Sequence, residues 1–282
     1  MKKNEKKGYV RSCGGIEMPP IMPEIVDGGE NAPCETGESP ATLPTEAEGK
    51  RDGAATPDKA AEPKRKTAAK MPERVKNGIT EIVFIIDKSG SMSGLEDDTI
   101  GGFNSFIEKQ RAEDGTAYVT TVMFSTNYVT VHDRVDISTV EPLTAEDYRV
   151  GGGTALYDAL GDAIKHITDV HKYIRPEDVP EKTIFVITTD GEENSSRRYN
   201  SADIKKKVKE CEEKQGWEFL FLGANIDAFC AADRIGIRAN RATTYDSADT
   251  GAMFRTVSSA VSYCRKIGKV NDEWAADLKD DD

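Results

Sequence analysis

Three short segments of this 282-residue chain carry side chains that could bind a cation. They are Asp87-Lys88-Ser89-Gly90-Ser91, Gly151-Gly152-Gly153-Thr154 and Thr188-Thr189-Asp190-Gly191. The candidate ligands among them are two carboxylates, on Asp87 and Asp190, and three hydroxyls, on Ser89, Ser91 and Thr154, and the segments contain no His or Cys. Hard oxygen donors suit Mg²⁺, Mn²⁺ or Ca²⁺ and disfavour zinc. The residue types therefore indicate a hard divalent cation, with Mg²⁺ as the leading candidate.

The three segments become neighbours if the chain folds around a parallel sheet. Residues 82–86 form an unbroken apolar run, typical of a strand buried on both faces, and residues 183–187 predict a second fully buried strand. Further strands are predicted at 117–124, 217–222 and 241–245, with helical patterns around 100–107, 156–167, 200–215, 226–234 and 248–269. This alternation favours an α/β fold, a doubly wound, mainly parallel six-stranded sheet with helices on both faces. Ligands of such sheets bind beyond the carboxyl ends of the strands, which is where the three segments fall.

Two local patterns refine this picture. Val129, Val131, Val135 and Ile137 alternate with polar residues, which predicts a half-exposed antiparallel strand at one edge of the sheet. The segment Asn200-Ser201-Ala202-Asp203 has the pattern of a capping box and predicts the start of a helix.

The five candidate residues resemble the metal-ion-dependent adhesion site of the von Willebrand factor type A (vWA) domain family. That family's pattern is Asp-x-Ser-x-Ser, then a Thr, then an Asp, and this chain has Asp87, Ser89, Ser91, Thr154 and Asp190 in that order. The surrounding segments IVFIIDKSGSM, GGGTALYDAL and FVITTDGEENSS are also similar to the family, and the order of strands and helices agrees over about residues 79–270.

The resemblance implies that Ser89 and Ser91 ligate the ion directly and that Thr154 does so directly or through water. Asp87 and Asp190 would hold coordinated waters. Neutral hydroxyl ligands leave a divalent charge poorly neutralised, so such an ion would attract an anionic sixth ligand, most simply a carboxylate of another protein. The expected function is a metal-dependent protein-binding module, an adaptor or scaffold, and not an enzyme.

Each candidate residue also has an ordinary structural interpretation. Ser89 and Ser91 could satisfy backbone groups of a turn, and Thr154 could cap a helix. Asp190 could belong to an Asp-Gly turn. The next two residues, Glu192 and Glu193, are expected to form a solvated loop that leads into a helix.

Two alternative functions remain open. One is a metal-dependent phosphoester hydrolase that uses Asp87 and Asp190, and the other is a scaffold whose ion is purely structural. NTP hydrolysis is disfavoured because the glycine-rich segment 151–153 lacks the lysine and the spacing of a P-loop. The three histidines, at 132, 166 and 171, are expected to be packed or solvated.

The acidic balance of the chain argues against several classes of partner. With 38 Lys+Arg against 50 Asp+Glu the net charge is −12, which opposes nucleic-acid binding through phosphate attraction. No apolar run reaches the roughly 18 residues expected of a membrane span. Five cysteines without a CxxC pair favour reduced thiols and a cytoplasmic location.

Composition also predicts the domain boundaries. Nine of the 12 prolines precede residue 79, whereas all nine phenylalanines follow it. We therefore predict a disordered low-complexity tail at 1–76, the vWA domain at 77–270 and an acidic tail at 271–282. The resemblance is to stand-alone, bacterial-type intracellular members of the family. It implies a protein partner that offers an acidic residue, with an AAA+ ATPase-type assembly as one candidate.

Overall fold

The structure, a computed structural model, describes residues 78–278. Within this range the strands are β1 (Thr80–Asp87), β2 (Ala117–Phe124), β3 (Tyr128–Asp136), β4 (Lys182–Thr189), β5 (Glu218–Gly223) and β6 (Ala242–Thr244). The α-helices are α1 (Glu96–Arg111), α2 (Leu156–Tyr173), α3 (Ser201–Gln215), α4 (Ala228–Arg234) and α5 (Thr250–Ile267). The predicted tail at 1–76 lies outside the described residues, as do residues 279–282 of the acidic tail, and the domain boundaries stay predictions.

The six strands form one sheet in the order β3-β2-β1-β4-β5-β6. Every neighbouring pair is parallel except β2 and β3, which are antiparallel. The reversal between these two strands needs only a tight turn, in which the Ser125 N–H donates to the Asn127 carbonyl at 2.8 Å. The predicted α/β sheet with one antiparallel edge strand is therefore confirmed.

The middle of strand β1, residues 82–86, is apolar because helices cover both faces of the sheet. Ile82, Phe84 and Ile86 pack into the core that contains residues of α1 and α5. Val83 and Ile85 pack into the opposite core, with residues of α2, α3 and α4. Successive side chains of a strand point to opposite faces, so an unbroken apolar run marks a strand that is covered on both sides.

The chain changes face between β1 and β4, the two central strands. After β1 it continues into α1, which packs on one face of the sheet, and after β4 it continues into α3, which packs on the other. This divergence opens a crevice at the carboxyl ends of the two strands, the usual ligand position in doubly wound sheets. Asp87 is the last residue of β1 and Asp190 directly follows β4.

Helix α3 begins as the sequence predicts. The Asn200 side chain accepts a hydrogen bond from the Asp203 N–H, and the Asp203 carboxylate accepts one from the Asn200 N–H, which completes the capping box. The helix ends at Gly216, whose φ of +63° is the left-handed conformation that glycine tolerates best. None of the helices between residues 78 and 278 is both long and apolar enough to cross a membrane.

Candidate metal centre

Asp87 lies at the buried floor of the candidate site and both of its carboxylate oxygens accept hydrogen bonds. Oδ1 accepts from the Ser89 N–H at 2.7 Å, and Oδ2 accepts from the Thr189 hydroxyl of β4 at 2.6 Å. The Tyr148 hydroxyl donates to the backbone carbonyl of Asp87 at 2.5 Å. These contacts hold the turn that carries Ser89 and Ser91 against the end of the sheet.

The two serines join the end of β1 to the end of β4. Their Oγ atoms are 3.0 Å apart, and the Ser91 hydroxyl donates to Asp190 Oδ1 at 2.5 Å. Ser89 and Asp190 are buried, whereas Ser91 is exposed. The polar cluster therefore extends from the interior to the surface, where another molecule can reach it.

Thr154 reaches the same place from the start of α2. Its backbone holds it there, because its N–H donates to Asn194 Oδ1 at 2.9 Å and its carbonyl accepts from the Asn194 N–H at 3.0 Å. A Cβ added to Gly191 would lie 3.3 Å from both Ser91 Oγ and Thr154 Oγ1, so these hydroxyls flank one small space. The N-cap residue of α2 is Ala155, so Thr154 is not the cap.

The glycine run before Thr154 lets two loops approach each other closely. The Gly151 N–H donates to the Lys88 carbonyl at 2.9 Å, and the Gly90 N–H donates to the Gly152 carbonyl at 3.0 Å. Gly152 has a φ of +84°, and a Cβ there would lie 2.7 Å from Thr126 Oγ1. Backbone conformation and lack of space thus both require glycine at this position. The run has a structural reason that does not involve phosphate.

The residues at this site fit a hydrated divalent cation. All of the candidate donors are oxygens, which Mg²⁺, Mn²⁺ and Ca²⁺ prefer. Tyr245 is buried, and within residues 78–278 its hydroxyl has no hydrogen-bond partner. Burial raises the pKa of this hydroxyl, and the negative charges of Asp190 and Asp87 raise it further. Waters on a cation held by the two aspartates would give the hydroxyl the partner that buried polar groups normally have.

The electrostatics of Asp87 also favour a cation. Burial raises the pKa of its carboxyl group and the negative charge of Asp190 raises it further, against the lowering effect of the hydrogen bonds from Thr189 and Ser89. Two carboxylates that lie close together repel each other when both are charged. A cation beside them offsets this repulsion and favours their charged forms.

Sequence reasoning missed most of the residues that support the site. Thr189 was detectable as the hydroxyl next to Asp190 at the end of a buried strand, but nothing local marks Tyr148 or Tyr245. The expectation of a solvated loop was wrong for Glu193. Its carboxylate accepts hydrogen bonds from the N–H groups of Tyr157, Ser195 and Ser196 at 2.7–2.9 Å.

Several solved structures are similar to this one at low sequence identity. The vWF domain of the type V pili tip protein Mfa5 from Porphyromonas gingivalis is 12% identical, with a TM-score of 0.51 over 68% of this chain and 98% of that one. Proximal thread matrix protein 1 from the mussel byssus is 16% identical, with a TM-score of 0.44 over 64% of this chain and 45% of that one. A von Willebrand factor type A protein from Catenulispora acidiphila is 16% identical, with a TM-score of 0.45 over 65% and 42% of the two chains. The chain thus spans less than half of the length of the mussel protein and of the Catenulispora acidiphila protein.

The sequence comparisons identify the family. No curated protein matches the chain. The sequence model described as von Willebrand factor type A domain matches residues 81–256, more than half of the chain and the whole region from β1 into α5. With the observed strand order and helix placement, this match shows that the chain belongs to the von Willebrand factor type A domain family.

Proposed function

We propose that this domain binds a divalent cation and uses it to capture a carboxylate of a partner protein. The residues that would hold the cation are Asp87, Ser89, Ser91, Thr154 and Asp190, and the ion is Mg²⁺, with Mn²⁺ or Ca²⁺ as alternatives. The proposal depends on one observation, the convergence of three hydroxyls and two carboxylates at the point where the chain changes face. When bound, the cation supplies a positive centre that an acidic side chain can approach.

The contacts suggest a division of work among these residues. The carboxylates orient the hydroxyls, because Asp87 holds the Ser89 backbone and Asp190 accepts a hydrogen bond from Ser91. The hydroxyls themselves are neutral and cannot cancel a divalent charge. A site of this kind favours an anionic ligand from outside, and the exposed Ser91 is on the side from which it would come.

The geometry gives less support to phosphoester hydrolysis. A nucleophile or general base must reach the reacting atom. Asp87 is fully buried, and each of its oxygens already accepts a hydrogen bond from the protein. Binding is therefore the function we favour, and Mg²⁺-dependent turnover of a simple aryl phosphate that is lost in Asp87→Asn would argue for the hydrolase instead.

The partner we propose is a protein that presents an Asp or Glu on its surface. An AAA+ ATPase-type assembly is one candidate, drawn from the family resemblance alone. We place the encounter in the cytoplasm, since the cysteines among the described residues, Cys211, Cys230 and Cys264, are all free thiols.

Calorimetry with Mn²⁺ or Mg²⁺ tests the metal site directly. We expect one ion to bind the full chain, and Ser89→Ala or Ser91→Ala to weaken binding by about 100-fold or more, because each removes a proposed direct ligand. Ser93→Ala is the matched control, since Ser93 is exposed two residues beyond the site. Equal affinities for all four proteins would refute the assignment.

A pull-down from native cytosol then tests capture of a partner. The tagged full chain is used with Mg²⁺, with EDTA and as Asp190→Ala. Proteins retained only by the wild type with Mg²⁺ support metal-dependent capture. The same proteins in every lane would mean that another surface binds them and that the ion is structural or absent.

A further inference from the structure

The first turn of α2 obtains its capping groups from a distant loop. Backbone N–H groups in the first turn of a helix have no acceptor within the helix. The N-cap residue, Ala155, has no side chain that could cap. The Tyr157 N–H donates instead to Glu193 Oε2 at 2.9 Å, and the Asp158 N–H donates to Ser196 Oγ at 3.1 Å. We call residues 193–196 the capping loop.

The capping loop also holds the backbone of Thr154 on both sides. Asn194 accepts a hydrogen bond from the Thr154 N–H through its side chain, and its own N–H donates to the Thr154 carbonyl. The Ser195 N–H donates to the same carbonyl at 3.2 Å. A Cβ at Gly153 would collide with the side chains of Ser195 and Asn194, so glycine is needed for this close approach.

Helix α2 in turn binds the three residues that directly follow the capping loop. The Asp158 carboxylate accepts hydrogen bonds from the backbone N–H groups of Arg197, Arg198 and Tyr199 at 2.9–3.0 Å. Each element therefore satisfies backbone groups of the other. Such reciprocal networks hold their members rigidly, since losing one partner leaves others unsatisfied.

This network connects two of the proposed metal-site residues. Asp190 precedes Asn194 by only four positions. The same loop therefore contains Asp190 and the side chain that accepts a hydrogen bond from Thr154. Thr154 and Asp190 lie at the ends of different elements. Asp190 accepts a hydrogen bond from Ser91, whereas Thr154 Oγ1 faces Ser91 Oγ across the small space beside Gly191. Their separation depends on the capping loop.

We infer that Asn194 and Glu193 are positioning residues, which set the place of Thr154 in the metal site. This inference rests on the proposed metal-binding function. Hydrogen-bonded groups behind the ligands of a metal typically contribute 10- to 100-fold in metal affinity. The capping loop should therefore control metal affinity, beyond its contribution to the stability of α2.

The test compares two exposed asparagines that each accept a hydrogen bond from a backbone N–H near the start of a helix. Asn200 is the N-cap residue of α3 and accepts from Asp203, whereas Asn194 accepts from Thr154, two residues before α2. Asn194→Ala and Asn200→Ala should both lower the midpoint of urea unfolding in EDTA. Only Asn194→Ala should weaken Mn²⁺ binding, by about 10-fold or more in calorimetry. Asn194→Asp, which keeps an oxygen acceptor, should restore most of the affinity.

A second pair of variants separates the effect of hydrogen bonding on metal affinity from the effect of charge. Glu193→Ala and Glu192→Ala both remove a negative charge near the site, but only Glu193 caps α2. We expect Glu193→Ala to bind Mn²⁺ several-fold more weakly than Glu192→Ala. If wild type and Asn194→Ala bind Mn²⁺ equally, the inference fails while the metal site stands. If wild type binds no Mn²⁺, the proposed function fails as well.

Discussion

At the scale of single residues, Gly191 is the glycine whose missing side chain borders both Ser91 and Thr154. Its φ lies outside the left-handed region, so alanine is acceptable to the backbone, yet the added Cβ would lie 3.3 Å from Ser91 Oγ and Thr154 Oγ1. We expect Gly191→Ala to fold with nearly normal stability but to weaken Mn²⁺ binding by about 10-fold, because the methyl group enters the space that the hydroxyls flank. Calorimetry and urea unfolding measure the two effects separately.

Gly101 provides the control for this substitution. It lies within α1, and a Cβ there would have no atom within 4 Å. Gly101→Ala should therefore raise the free energy of unfolding by about 1 kcal/mol through helix propensity and leave metal affinity unchanged. Unaltered Mn²⁺ binding by Gly191→Ala would show that the hydroxyls around it do not face the ion.

The surroundings of the histidines and cysteines can be compared with what their residue types predict. His132 is buried and stacks with Phe103, while His166 pairs with Asp133 at 2.8 Å, as packed residues would. Cys211 and Cys264 lie buried in the core. Cys230 and its neighbour Phe229 are both exposed, although Phe229 is apolar, because they lie on the outer side of the short helix α4.

At the scale of elements, the amino-terminal end of β1 contains a buried ion pair. Glu81 is fully buried, and its oxygens contact Arg134 Nε of β3 at 2.6 Å and His171 Nε2 of α2 at 2.5 Å. Three elements therefore depend on one carboxylate. Glu81→Gln should lower the free energy of unfolding by about 3 kcal/mol, since it leaves the charge of Arg134 without its partner. Urea unfolding at neutral pH measures this loss.

An exposed glutamate serves as the comparison. Glu210 pairs with Lys214 at 3.5 Å on the surface of α3. Glu210→Gln should change the free energy of unfolding by less than about 0.5 kcal/mol, because exposed pairs contribute little. Similar losses for the two variants would mean that the Glu81 cluster has no special role.

The same cluster should make stability depend on acid pH. Burial alone would raise the pKa of Glu81, but the hydrogen bond from His171 and the charge of Arg134 outweigh it and hold the pKa below its ordinary 4.5. A carboxyl group with a lowered pKa stabilises the fold above its unfolded pKa and loses this effect as pH falls through the folded value. Wild type should therefore lose stability below about pH 4.5 more steeply than Glu81→Gln in urea titrations over that range.

At the scale of the whole molecule, metal binding should stabilise a fold that does not require it. Both apolar cores are complete without the site residues, so the EDTA-treated protein should stay folded. Mg²⁺ at about 100 times its Kd should add about 2.7 kcal/mol to the free energy of unfolding and raise Tm by about 5–10 °C. The double variant Ser89→Ala/Ser91→Ala should show no such rise in calorimetric scans.

This experiment also separates two of the functions considered for the domain. A purely structural ion predicts that EDTA lowers stability without changing partner binding. An ion that captures a carboxylate predicts that EDTA abolishes partner binding while the protein stays folded. Unfolding of the wild type in EDTA at 25 °C would contradict the independence of fold and metal.

The sequence by itself determined the fold class and the candidate residues. Strand burial appears as continuous apolar runs such as 82–86, helix faces appear as periodic apolar positions, and the family pattern selects Asp87 and Asp190 as candidate site residues. These features are readable because they depend on chain order and on local periodicity, which a linear sequence preserves.

Only the tertiary structure decided how the site is supported. Asn194 accepts a hydrogen bond from Thr154, although 40 residues of chain separate them. Tyr245 follows the edge strand β6, and the charges of Asp87 and Asp190 raise the pKa of its hydroxyl. Asparagine is common on protein surfaces and tyrosine is common in protein cores, so neither residue type by itself indicates a role at the site. Their roles arise from hydrogen bonds and close approaches between loops, which depend on where the whole fold places those loops and leave no periodic trace in the sequence.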